Sequence, residues 1–195
     1  MSREIAVVIL AGGEGRRIGG AKPLRTLAGE RLIDRALRLA RGWSDIVAVA
    51  VRDPAQVEPL DAILVEDDQT VPGPLGGLIT ALRFAQQVER PLLLTVPADM
   101  PFLPPDLLER LAEALGTQGC ALAASSGHLH PVCGLWRASA LDRLPAYLSS
   151  ERRSLKGLGE AVGMVSVEWP CGAHDPFLNI NTAEDLAAAE RRAAL

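Results

Sequence analysis

The chain has 195 residues, 48% of them hydrophobic and 23% charged, with a formal net charge of −4. That is enough apolar material for one compact domain and too much for a disordered polyelectrolyte. The negative charge and only seven aromatic residues argue against a nonspecific nucleic-acid binder, and no apolar run approaches the roughly 20 residues that cross a bilayer.

In chain order, Met1-Ser2-Arg3-Glu4 has neither the apolar core nor the cleavage site of a secretory leader, so none is expected. Ile5 to Leu10 (IAVVIL) is a continuous apolar run, the signature of a central strand buried on both faces. Leu10 to Leu24 holds five glycines and three cations directly after it. A helix follows near Leu32 to Arg41, with Leu32, Ile33, Ala36, Leu37 and Ala40 on one face and Asp34, Arg35, Arg38 and Arg41 on the other. Ile46 to Val51 reads as a strand, as does a short run around Ile63 to Val65. A helix from about Leu75 to Gln87 leads to the apolar strand Leu92 to Val96. The next helix is expected to start at Pro104-Pro105, with Leu107, Leu108, Leu111 and Leu115 at helical spacing. Strands at Ala121 to Ala124, Val132 to Trp136 and Met164 to Glu168 are interleaved with helical pieces at Ala138 to Leu148 and Ser154 to Val162. Thr182 and Asp185 form a capping signal for a last helix, Ala183 to Ala194. The alternation predicts a single three-layer α/β domain over residues 1–195, with helices on both faces of a mostly parallel sheet.

Charge and side-chain chemistry concentrate in a few places. Residues 1–45 carry a net +4 and the remainder −8, so the basic end suits a small polyanion. Glycines after the first strand let backbone N–H groups approach phosphate oxygens, and cations there neutralise them. The loop is not a Walker A motif, because Ala21 separates Gly20 from Lys22 and Pro23 follows. Nor is it a dinucleotide fingerprint from Gly13, because Ile18 stands where a glycine is needed. Of 20 basic residues only two are lysines, and Lys22 is one of them. Asp99, held between Pro97 and Pro101, sits at the carboxyl end of a central strand, where open α/β sheets place ligands and where one fixed carboxylate can hold Mg²⁺. Asp67 lies between Glu66 and Asp68 before a second glycine-rich turn. Gly76 and Gly77 there either admit a ligand or allow close packing. Asn179 and Asn181 alternate across Leu178 and Ile180, so an extended backbone puts both amides on one face. His128 and His130 form an H-x-H pair without a third metal ligand nearby. The three cysteines have no C-x-x-C spacing, which fits a reducing, cytoplasmic setting.

The run LAGGEGRRIGGAKPLRTLAGERLIDRAL resembles the signature region of nucleotidyltransferases with a Rossmann-like core, and within them the molybdenum cofactor guanylyltransferases. Glu66-Asp67-Asp68 with Gly73-Pro74-Leu75-Gly76-Gly77-Leu78, Pro97-Ala98-Asp99-Met100-Pro101-Phe102-Leu103, and Phe177-Leu178-Asn179-Ile180-Asn181-Thr182 match the same family in the same order. The resemblance implies a Rossmann-like α/β/α fold and transfer of GMP from GTP to the terminal phosphate of molybdenum-bearing molybdopterin. It implies nucleotide contacts from Leu10, Ala11, Gly12, Gly13, Lys22, Asp67 and Asp99, catalytic roles for Lys22, Arg16 and Asp99, Mg²⁺ on Asp99, and pterin contacts from Asn179 and Asn181. His130-Pro131 either lines the second-substrate pocket or makes a structural turn. A monomer is expected, with transient contacts to cofactor-biosynthesis proteins and acceptor molybdoenzymes and none to nucleic acid or membrane. The chain departs from the family at Ala21, where an Asp usually precedes the lysine, and in Val47 to Val51, which lacks an asparagine some members carry. A cytidylyltransferase for the same pterin, a sugar-1-phosphate nucleotidyltransferase and a nucleotide-binding carrier without turnover stay open; Leu10-Ala11-Gly12-Gly13 is typical of the guanine branch.

Overall fold

The computed structural model of the chain describes residues 4–12 and 22–194, Lys22 by its backbone alone. Strand β1 (Ile5–Leu10) is an interior strand, third in a seven-stranded sheet. It pairs in parallel with β4 (Ile46–Val51) on one side and β6 (Leu92–Pro97) on the other. A short antiparallel ribbon, β2 (Thr26–Leu27) and β3 (Glu30–Arg31), precedes helix α1 (Leu32–Trp43). Beyond β4 lies β5 (Ile63–Glu66), also parallel; helix α2 (Pro74–Gln87) then leads into β6. After helix α3 (Leu107–Leu115) come β7 (Cys120–Ser125), β8 (His128–Arg137), α4 (Leu144–Ser149), α5 (Leu155–Val162), β9 (Met164–Trp169) and α6 (Ala183–Ala193). The sheet order is β5-β4-β1-β6-β8-β7-β9.

Alternation along the strands builds two cores. Ile5, Val7 and Ile9 pack with Ile33 and Leu37 of α1 and Leu107 and Leu111 of α3 on one face. Ala6 and Val8 pack with Leu75, Leu78 and Leu82 of α2 on the other, beside Leu144 and Leu158 from α4 and α5. A strand covered on both sides has no polar face, which is why IAVVIL is apolar throughout.

The expected three-layer arrangement is the observed one, and three local differences have physical causes. The helix expected from Pro104-Pro105 begins at Leu107. A residue before proline is pushed to extended backbone, so Pro104 makes only a turn, whose carbonyl accepts from Leu107 N–H at 3.1 Å. The piece expected over Ala138 to Leu148 is a 3-10 segment, Ala138–Arg143, followed by α4. Pro145 fits the first turn of α4 and cannot lie inside one longer helix. Strand β8 runs antiparallel to both neighbours, because only Ser126 and Gly127, both with positive φ, join it to β7. The cap at the last helix forms as the sequence indicates: Thr182 Oγ1 accepts from Asp185 N–H and the Asp185 carboxylate accepts from Thr182 N–H.

Ser44 closes α1 against the sheet. Its buried hydroxyl donates to Ile5 O at 2.6 Å and accepts from Ile46 N–H at 3.0 Å, tying the starts of β1 and β4 together. Ser44→Ala strands both backbone groups and should lower unfolding free energy by about 1–3 kcal/mol, read from urea titration, while ligand binding by the folded fraction is unchanged.

Candidate active site

The carboxyl ends of four parallel strands and the start of α2 surround one cleft of about 240 Å³. Leu10 and Gly12 come from the end of β1, Arg52 follows β4, Asp67 follows β5, and Pro97 and Asp99 come from the end of β6. Gly73, Pro74 and Gly77 of the α2 turn, Val132 of β8, and Asn179 complete the lining. The position follows from the topology. The chain crosses from β1 outward to β4 and β5, then returns to place β6 on the opposite side of β1, and ligands bind beyond the strand ends where that reversal occurs. Backbone bonds extend the ladder one step past the strands here: Ala11 N–H donates to Ala50 O at 2.8 Å and Ala98 N–H to Leu10 O at 3.2 Å.

Of the three consecutive acids, only Asp67 faces the cleft. Glu66 offers its carbonyl to Thr80 Oγ1. Asp68 binds Thr70 and the Arg83 guanidinium at 2.7 Å, which holds its carboxyl below the usual range. Asp67 donates its N–H to Val51 O at 2.8 Å, which turns its side chain under the β1 loop. Its Oδ1 is inaccessible and accepts no hydrogen bond among the described residues. Burial pushes the Asp67 carboxyl above the usual range, and the positive charge of Arg52 offsets part of that.

Glycine is a steric requirement at two points in this site. A Cβ on Gly12 would clash with Asp67 Oδ2, so any larger residue there must push that carboxylate aside. Gly76 serves packing, since its Cβ would stand 2.6 Å from the carbonyl oxygens of Asp68 and Val71. Gly77 faces the cleft itself.

Asp99 lies across the cleft from this group. Its carbonyl accepts from Ile180 N–H at 2.9 Å, which brings the 177–181 segment alongside it, and its Oδ1 is inaccessible. Burial pushes the Cys133 thiol well up, and the Asp99 charge adds to that. Among the described residues no group of three or more His, Cys, Asp or Glu side chains could cage a metal. Asp67 and Asp99, however, present oxygen ligands to one cleft, and a hard divalent cation needs only one or two carboxylates when phosphates and water supply the rest. The two carboxylates therefore fit such an ion.

The structure thus brings together five of the expected site residues: Leu10, Gly12, Asp67, Asp99 and Asn179. Ala11 is buried behind the lining. Asn181 is exposed outside it, its N–H bonded to Asp185 Oδ2 at 2.9 Å. Gly13, Arg16 and the Lys22 side chain lie outside the described residues. Arg52 was not singled out by sequence; the available signal is a cation directly after the apolar strand Ile46–Val51. His128 is exposed, and His130 Nε2 lies 2.6 Å from Ser125 Oγ.

A mostly parallel sheet with a glycine-rich sequence following its first strand and two carboxylates at its carboxyl edge fits an α/β enzyme that handles nucleoside phosphates. A family model described as a MobA-like NTP transferase domain matches residues 7–162. The molybdenum cofactor guanylyltransferase of Bradyrhizobium sp. (strain ORS 278) is 41% identical over 96% of this chain and 92% of its own length. That of Cereibacter sphaeroides is 38% identical over 94% of each chain. The crystal structure of molybdopterin-guanine dinucleotide biosynthesis protein A from Archaeoglobus fulgidus superposes with a TM-score of 0.76 at 27% identity, covering 97% of this chain and 98% of that one. The chain belongs to the MobA-like NTP transferase family and is a nucleotidyltransferase.

Two outcomes follow from the Gly12–Asp67 contact. Gly12→Ala must displace the carboxylate and should weaken nucleoside triphosphate binding about tenfold or more, measured by calorimetry. Because the raised Asp67 carboxyl means the folded state holds that proton more tightly than the unfolded one, stability falls as pH rises from the ordinary aspartate range through the raised value. Asp67→Asn removes that decline, so in urea unfolding its stability relative to the parent protein should grow from pH 4 to pH 7.

Proposed function

We propose that the chain transfers GMP from GTP to the terminal phosphate of molybdenum-bearing molybdopterin, giving the guanine dinucleotide and pyrophosphate. The observation that carries this reading is the convergence of Gly12, Asp67, Asp99 and Asn179, from four separate segments, on one cleft, in a chain 38–41% identical over almost its whole length to proteins named for that activity.

The acceptor phosphate monoester needs little help to become a nucleophile, since its second pKa is about 6 and it is largely dianionic at pH 7. One of its oxygens attacks the α-phosphorus of GTP, a new P–O–P linkage forms, and the bond to the β-phosphate oxygen breaks to release pyrophosphate. No general base is required, so the work is positioning and charge neutralisation. Lys22, Arg16 and the backbone N–H groups of Gly12 and Gly13 stabilise the departing pyrophosphate, with Leu10 and Ala11 shaping the nucleotide end of the cleft. Asp67 contacts the nucleotide. Mg²⁺, when bound, neutralises phosphate charge, and Asp99 is the residue that holds it. Asn179 inside the cleft, and Asn181 at its outer side, hydrogen-bond the pterin acceptor.

The enzyme works in the reducing cytoplasm, a setting that suits three free thiols. Among the described residues no helix is long and apolar enough to cross a membrane. It acts as a monomer that meets cofactor-biosynthesis proteins and acceptor molybdoenzymes transiently.

The test is pyrophosphate release by purified protein with Mg²⁺ and molybdenum-loaded molybdopterin, comparing GTP with CTP. Release with GTP should depend on the pterin. Lys22→Ala and Asp99→Asn should each cut kcat/KM about 100-fold or more with little change in melting temperature. Preference for CTP would replace the donor, and tight nucleotide binding without release would indicate a carrier instead.

A further inference from the structure

At the carboxyl end of β7 a second polar cluster lies outside the cleft lining. Ser125, only 1% exposed, stands between His130 Nε2 at 2.6 Å and Asp175 Oδ2 at 3.0 Å. Ser125 has one hydroxyl proton and the Asp175 carboxylate can only accept. The hydroxyl therefore donates to Asp175, and His130 must donate its Nε2–H to Ser125. In the neutral ring this selects the tautomer that carries its proton on Nε2. The buried serine is pinned between two partners.

The ring so fixed is a platform. His130 stacks on Phe177 with centroids 4.7 Å apart and planes 9° from parallel, and Trp169 meets the Phe177 ring edge-on at 5.5 Å. Asp175 uses its other oxygen to accept from Phe177 N–H at 2.8 Å, and its carbonyl accepts from Arg192 of α6 at 2.7 Å. The segment is tied again where Ile180 N–H donates to Asp99 O. Asn179, between these two ties, is the only residue of the segment in the cleft lining.

We infer that His130 is a positioning residue: through the Ser125–Asp175 hydrogen bonds and the Phe177 stack it sets the segment that delivers Asn179 to the acceptor side of the cleft. This rests on the reading of Asn179 as an acceptor contact. The nucleotide side built from Gly12, Arg52, Asp67 and the α2 turn shares none of the Ser125, His130 and Asp175 bonds, and the two sides meet at Asp99, whose carbonyl holds Ile180. The groups around the imidazole are Asp175 and Glu168, which favour its charged form, and His128 and burial, which disfavour it; burial prevails and holds His130 below the usual histidine range.

Three variants separate the parts. Ser125→Ala removes the bridge and keeps the stack, His130→Gln keeps a donor for Ser125 and removes the ring, and His130→Phe keeps the ring and removes the donor. In pyrophosphate-release kinetics with GTP and molybdenum-loaded molybdopterin, Ser125→Ala, His130→Gln and His130→Phe should each raise the acceptor KM about tenfold, with the GTP dissociation constant within about twofold of the parent. Ser44→Ala, destabilised elsewhere, is the control and should leave the acceptor KM unchanged. Amide hydrogen exchange supplies a readout independent of turnover: the Ile180 amide should exchange faster in Ser125→Ala, while Ala98 and Ala11 keep their protection. An unchanged acceptor KM, or GTP affinity falling in step with it, overturns the assignment, as does unaltered exchange at Ile180. Absence of pterin-dependent release from the parent enzyme overturns guanylyl transfer instead, and the exchange result then decides the positioning role alone.

Discussion

Burial of β1 on both faces is the constraint on which the rest of the structure depends. With α1 and α3 on one side and α2 on the other, and with β4 and β6 bonded along its edges, the strand meets solvent only at its ends. The carboxyl end is where the chain leaves as Ala11-Gly12, and the neighbouring strands leave there too. Functional groups collect at that edge because it is where side chains of parallel strands become free of the core while their backbones remain fixed by the ladder. A cleft at that point inherits the rigidity of the sheet without a framework of its own.

The acidic residues show how environment assigns different work to identical chemistry. Glu66, Asp67 and Asp68 are consecutive, yet one lends its carbonyl to α2, one pairs with Arg83 to hold the turn, and one is turned beneath the β1 loop with its charge disfavoured. A group kept in that state gains more from a ligand that satisfies it than a solvated carboxylate would, because its desolvation has already occurred during folding. Asp99 differs again. Its backbone anchors the Asn179 segment while its side chain faces the cleft, so one residue joins the two halves of the site.

The acceptor side is supported from farther away. Ile180 is fully buried with Leu27, Leu32 and Ala189, so α6 and the β2–β3 ribbon close over the segment that carries Asn179. Glu190 of α6 accepts from Ala28 N–H at the tip of that ribbon, and Arg192 lies over Phe102 at 3.9 Å while holding Asp175. The last helix is thus a brace for one side of the cleft, which explains why a strong capping box at Thr182 stands directly after the asparagines.

Much of this was legible in the order of residues. Apolar runs and helical periodicity located β1, α1, β4, α2, β6 and the capped α6 to within a few residues, because burial on two faces, on one stripe or on none leaves a local pattern. The motif around Asp67, Asp99 and Asn179 was legible as a resemblance. What sequence did not disclose was which acid of three turns inward, that Arg52 joins the lining, that β8 reverses direction, and that Ser125, His130 and Asp175 meet although Ser125 and Asp175 are 50 residues apart. By itself the sequence located most of the strands and helices, since these depend on neighbours along the chain, and through a family resemblance it indicated the class of chemistry. The tertiary structure alone decided which polar groups share a cavity and which become supports, since hydrogen bonds and desolvation depend on neighbours across space.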